Sequence, residues 1–269
     1  MIRNLHKFVS RGVALIADLP AVLVMSADDE RLAGEDPERF KRAWLGLAIA
    51  GLVWGVVLAC VWGAAWKVFG DWGFLIMPAA ITLAFYCLWP FSQTVTALGR
   101  QIGGKSAERR ALAIAVVVIV MAMCLMRLSP DWQRQEFPTL AWWIAWLRPQ
   151  AKLYRVLVLM PAWGAWAMLI TLKLCRPGER TEPQIAAMAR GCDAIAVAVF
   201  MAVLLGVSIA YFHHLGLGGQ MLVPLATIVA AIVGGIGFSG VSGGITRQGL
   251  LAANLSTQIV FIMAYLAGR

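Results

Sequence analysis

Carboxylates are scarce where a membrane enzyme would need them. The chain holds 14 aspartates and glutamates, and six of them crowd between Asp28 and Glu38. The others are Asp18, Asp71, Glu108, Asp131, Glu136, Glu179, Glu182 and Asp193, and only Asp193 falls within an apolar run, at its start. This excludes a carboxylate cluster inside the apolar segments, the usual means of holding magnesium against phosphate. The five cysteines form no CxxC pair and sit mostly in or beside apolar runs, so they read as small buried residues rather than zinc ligands or disulfides. Of the three histidines, His213 and His214 are adjacent, and neighbours on a helix do not share a face, so an interfacial position fits them better than a shared metal. Strict apolar/polar alternation is missing, which excludes a barrel. No stretch pairs a basic face with soluble-domain composition, so nucleic acid is not an expected partner despite the net charge of +9. Internal repeats and low-complexity tails are also missing. The first 26 residues do not read as a cleaved leader, because Asp18 and Pro20 interrupt their apolar stretch; an interfacial amphipathic helix is expected there.

Long apolar runs are what the chain does have. Hydrophobic residues make up 61% of it, charged residues 14%, and the mean hydropathy is +0.76. That composition belongs to a polytopic membrane protein. A span needs about 20 apolar residues, and continuous runs of that length are helices. The expected fold is all-α, a polytopic membrane bundle of six to seven transmembrane helices. Residues 1–42 form a polar N-terminal segment and residues 43–269 the transmembrane domain. The expected spans are 43–69, 73–90 with a polar-leaning continuation over 91–98, 111–128, 153–174, 192–211, 221–238 and 250–266. The loop 129–152 contains "TLAWWIAWL", too short to cross and rich in tryptophan, and reads as interfacial or re-entrant. Gly51 and Gly55 form a GxxxG, a candidate for close helix approach.

Lysine and arginine set the expected orientation. Sixteen of the 23 fall in residues 1–42, 99–110, 173–190 and at Arg247, against six in the alternate segments. Basic segments stay cytoplasmic. The N-terminus is therefore expected inside, the C-terminus outside, and the protein in the plasma (inner) membrane in contact with lipid.

The candidate site lies late in the chain. "GGIGFSGVSGGITRQG" places Gly243, Gly244, Thr246 and Arg247 just ahead of an apolar helix. Glycine frees backbone N–H groups, and a helix N-terminus favours an anion, so these four are candidate phosphate contacts; close helix packing followed by a turn is the alternative. Asp28, Asp29 and Glu30 are candidates for a metal, or for a solvated acidic loop. Asp193 is either a functional ionisable residue or a helix cap.

Three stretches resemble the cobalamin synthase family, the adenosylcobinamide-GDP ribazoletransferases. That family's last loop reads roughly Gly-Gly-x-Thr-Gly-Asp-x-Leu-Gly-Ala-Ala-Asn, followed by a Thr-Glu pair. Here Gly243, Gly244, Thr246, Leu250, Ala252, Ala253, Asn254 and Thr257 keep that spacing without a gap. "LMPAWGAWAMLITLKLCRPGE", with Pro161, Gly164, Trp166, Ala167, Met168, Arg176 and Pro177, is similar to a second family segment, and "IGGKSAERRALAI" to a third. The resemblance implies transfer of a corrinoid-GDP ester to alpha-ribazole with release of GMP and help from Mg2+. It implies a corrinoid and a nucleotide as ligands and cobalamin-assembly proteins as partners. Arg109, Arg110 and Arg176 would balance phosphate charge. The departures fall on the acids. The family's three loop aspartates land on Gln93, Ala97 and Arg100, its later aspartate on Gln248, its glutamate on Gln258, and its arginine after Gly164 on Ala165. Metal-dependent phosphoryl transfer relies on such ligands. The alternative is therefore a catalytically inactive paralogue that binds corrinoid or scaffolds other membrane proteins. A small transporter ranks last, since no polar residues read as lining a mid-membrane path.

Overall fold

The structure, a computed structural model, describes residues 19–69, 76–88, 92–128 and 152–269. Among them there are helices and turns and no strand. The order is α1 (Pro20–Ser26), α2 (Asp29–Ala33), a 3-10 turn (Pro37–Arg42), α3 (Ala43–Phe69), α4 (Met77–Leu88), α5 (Ser92–Gly103), α6 (Ala107–Leu128), α7 (Lys152–Leu174), α8 (Pro183–Gly191), α9 (Ala194–Tyr211), a short 3-10 turn (His213–Leu215), α10 (Gly216–Ser242) and α11 (Arg247–Ala267). Six helices are long and apolar enough to cross a membrane, or seven crossings if α4 and α5 count as one span broken by a 76° bend. The protein is a multi-pass membrane helix bundle. The "TLAWWIAWL" element, residues 1–18, and the ends of the expected second span lie outside the described residues.

Two helices form the centre. In α7, 83% of the apolar window is buried and in α11 67%, against 17–39% in the other four spans. α3, α9, α10 and α11 pack on α7, and α5 packs on α11. Outer faces carry exposed apolar side chains in helical register: Leu45, Ile49, Leu52 and Val56 on α3, and Leu225, Val229, Val233 and Ile236 on α10. Such stripes are what lipid contact requires. The GxxxG of α3 meets α7 directly. A Cβ on Gly51 would stand 2.6 Å from the Ala165 Cβ, and one on Gly55 only 2.1 Å from the Val158 carbonyl oxygen. Trp163 Nε1 donates to Ser208 Oγ (3.0 Å) and Trp166 Nε1 to the Val197 carbonyl (3.2 Å), pinning α9 to the centre.

The spans run further than the apolar pattern suggests because capping, not hydropathy, ends a helix. α6 starts at Ala107, just after Ser106, and α10 reaches Ser242, where Gly243 ends it at φ 73°. Asp193 proves to be a cap: its side chain accepts from the Ile195 N–H (3.2 Å).

Most of the interfacial helix expected over the first 26 residues lies outside the described residues; in its described part, Ala21, Val22, Leu23, Val24 and Met25 are all buried in succession. With Leu32 and Phe40, Ala21, Leu23, Val24 and Met25 share one core with the spanning helices. Helix α1 packs on α3 and α5, and the 3-10 turn packs on α8. Polar connections knit this end of the bundle together. Gln184 Nε2 donates to the Glu35 carbonyl (2.7 Å), and Gln101 Nε2 to Ser242 Oγ (3.1 Å). The loops at 104–106, 175–182 and 243–246 all lie at this end, whereas Gly268 and the 212–215 turn lie at the other, where Tyr265 and His214 approach each other.

Candidate functional site

An open cavity of about 390 Å³ lies at the polar end, lined by Asp28, Asp29, Glu30, Gln93, Thr96 and Arg100. The acids come from the start of α2. Gln93, Thr96 and Arg100 come from α5, where spacings of three and four put them along one helix face. Gln93 Nε2 donates to Asp28 Oδ1 (3.0 Å). Gln248 Nε2, in the first turn of α11, donates to both Asp29 carboxylate oxygens (3.1 Å each). The Arg100 guanidinium stands 3.7 Å from Asp29. Chain folding thus gathers Gln93, Arg100 and Gln248, which stand where the resemblance would put carboxylates, around acids supplied by the N-terminal segment.

Arg247 is the structural hub beneath this cavity, not a phosphate ligand facing it. Its side chain is fully buried. It pairs with Asp29, donates from Nε to the Val24 carbonyl (2.9 Å), and donates from Nη2 to the Ala27 carbonyl. Its backbone N–H donates to Glu182 Oε2 (3.1 Å) and Oε1 (3.3 Å). Burial raises the Glu182 carboxyl above the ordinary glutamate range, only partly countered by its backbone hydrogen bonds and the Arg247 charge.

The other phosphate candidates are also engaged. Thr246 caps α11, its Oγ1 accepting from the Gly249 N–H (3.1 Å). Gly244, at φ 143°, packs so closely on the chain at Gly178 that a Cβ would stand 2.5 Å from the Gly178 nitrogen. The glycine pair serves a tight turn between α10 and α11, the alternative raised by its sequence. Thr246→Ala is expected to cost about 1 kcal/mol, read as a drop in Tm of about 2–4 °C in detergent; an unchanged Tm would remove the cap from the account. Arg110 donates to the Lys105 carbonyl (2.6 Å), Arg109 is exposed, and Arg176 is exposed with its carbonyl accepting from the Ile245 N–H (3.3 Å). None of the three lines the cavity.

The acids also fail as a metal centre. Among the described residues no group of three or more His, Cys, Asp or Glu is placed to hold a metal ion. Magnesium demands near-octahedral oxygen ligands, and Asp29 is already matched by two guanidiniums and an amide. Two fixed positive charges there oppose a third. The set Asp28, Asp29 and Glu30 does not fit the ion that the resemblance implies.

Deeper in the bundle lies a polar group that hydropathy hides. Tyr86 on α4 donates to Gln258 Oε1 (3.0 Å), Gln258 Nε2 donates to Asn254 Oδ1, and Thr94 on α5 hydrogen-bonds with Tyr86. All four are buried. The sequence signal was the spacing of Asn254, Thr257 and Gln258, three polar residues on one face of an apolar helix. No family model, curated protein or solved structure matches the chain.

Proposed function

We propose that the chain is a cobalamin-synthase-like integral membrane protein that binds a corrinoid nucleotide at its polar end without transferring it. Its polar end, with the N-terminus, faces the cytoplasm of the inner membrane, as the lysine and arginine bias favours. The observation that carries the reading is the Arg247–Asp29–Arg100 cluster. An internal ion network takes the place of a metal, and phosphoryl transfer without its metal loses most of its rate. Support for the architecture comes from convergence of the resembling stretches. Gln93 and Arg100 meet the acids that Gln248 also holds, while Gly164 lies against Asn254 and Gln258.

The test supplies purified protein in detergent with adenosylcobinamide-GDP, alpha-ribazole and magnesium, and follows GMP and corrinoid by chromatography. The expected result is no GMP above an empty-membrane control, with saturable corrinoid binding that R100E weakens. Product formation overturns the loss of transfer, and an active ribazoletransferase is then the reading. Absence of both product and binding overturns the ligand.

A further inference from the structure

Four cations converge where the spanning helices begin. Lys41 and Arg42 close the 3-10 turn, Arg190 lies in the last turn of α8, and Lys173 lies in the last turn of α7. Packing brings these three segments together. Gly191 lies against the Lys41 carbonyl with no room for a Cβ, and Lys173 Nζ donates to the Cys192 carbonyl (3.4 Å). All four side chains belong to exposed residues. Two acids stand beside them: Glu38 pairs with Lys41 (3.6 Å), and Asp193 caps α9. Arg42 and Arg190 take part in no ion pair among the described residues. Positive charge is therefore in excess at this place.

Apolar surface continues directly from the cations. α3 begins at Ala43 and α9 at Ala194, and both helices pack on α7. Their first two turns expose Leu45, Ile49, Ile195 and Val199, and Leu174 beside Lys173 is exposed as well. Leu45 and Ile49 open the lipid-facing stripe of α3. Trp44, half-buried at the start of the same helix, takes the interfacial level that indole favours. A ligand that matches both parts has an anionic head and apolar chains. A free anion would gain little from exposed cations that water and salt already screen. A lipid is held at the surface by its chains, and its phosphate sits at the level of the helix starts. Basic pockets between spanning helices bind acidic head groups in this way.

We infer that Lys41, Arg42, Lys173 and Arg190 hold the head group of an anionic phospholipid whose acyl chains lie along the first turns of α3 and α9. One lipid then bridges the 3-10 turn, α7 and α8 at the polar end. The site shares no residue with the cavity lined by Asp29 and Arg100 and does not depend on corrinoid binding.

Native mass spectrometry of the full chain released from nanodiscs tests it. The nanodiscs hold four parts phosphatidylcholine to one part phosphatidylglycerol. The wild type is expected to retain phosphatidylglycerol enriched about twentyfold over the supplied ratio, and the double variant R42Q R190Q to fall close to that ratio, since each Lys or Arg near an anionic surface contributes about fivefold. R109Q removes an exposed cation at the start of α6, at the same end of the bundle, and should keep the enrichment within about twofold of wild type. A wild type that retains the two lipids in the supplied ratio overturns the site. Equal loss in R109Q and in the double variant also overturns it, for the attraction would then belong to the basic end as a whole. Displacement of phosphatidylglycerol by inorganic phosphate overturns the choice of a lipid. If the double variant fails to fold, R42Q and R190Q are measured singly; each is expected to lose about fivefold, and unchanged enrichment in both overturns the site. No corrinoid is present in any arm, so failure here is separate from failure of the proposed function.

Discussion

Arg247→Ala is expected to destabilise the protein by about 3–5 kcal/mol, the range found when one member of a buried ionic network is removed. The side chain is fully buried, and its loss strands the Val24 and Ala27 carbonyls, to which it donates through Nε and Nη2. Asp29, about half exposed, recovers part of its solvation, so most of the cost comes from the carbonyls and the void. At roughly 2–4 °C per kcal/mol for a chain of this size, Tm in detergent falls on the order of 10 °C. Limited proteolysis should open the chain between α1 and the 3-10 turn before any spanning helix. R247K recovers less than half, because one ammonium cannot serve three separated acceptors with the geometry of a guanidinium. A variant with wild-type Tm and wild-type protease resistance would mean that α1 is held by its apolar contacts alone.

Gly55→Leu is expected to be at least as damaging. Even a methyl at this position would sit 2.1 Å from the Val158 carbonyl oxygen and 2.7 Å from its Cα, and these are backbone atoms that cannot rotate away. The α3 and α7 axes must separate along the whole GxxxG contact, which removes the dispersion contacts that drive helix association in lipid. The expected cost is at least about 3 kcal/mol, the upper end for overpacking, seen as loss of the monodisperse peak in size-exclusion chromatography. Gly206→Leu is the matched control, since nothing lies within 4 Å of a Cβ there. If both variants behave like the wild type, α3 does not pack on α7 through these glycines.

The fold was legible because hydropathy reports it. Spans of about 20 apolar residues leave few choices in lipid, and 43–69 and 153–174 coincide with α3 and α7 to within a residue. The bend between α4 and α5 was less legible. The sequence marks 91–98 only as a polar-leaning continuation of the second span, with no sign of a bend, yet Thr94, Val95, Ala97, Leu98 and Gly99 are buried in a separate helix. Burial of residues 21–25 was not legible either: a short apolar stretch reads as a surface helix, and only its tertiary neighbours bury it.

The candidate site was half legible. The sequence marked Asp28, Asp29, Glu30, Gln93, Arg100, Arg247 and Gln248 separately, but nothing in it joined residues that lie up to 220 positions apart. It gave Arg247 the right prominence and the wrong partner. A helix N-terminus attracts an anion in general, and here that anion is the chain's own Glu182 and Asp29.

The sequence alone determined that this chain crosses a membrane several times as helices and that its basic segments share one end, because transfer of side chains from water to lipid is a local property of each run. Tertiary structure alone decided that Asp29 meets Arg100 and Arg247 and that Tyr86, Asn254 and Gln258 gather beside Gly164. Both depend on which helices face each other, and that is set by packing between distant residues.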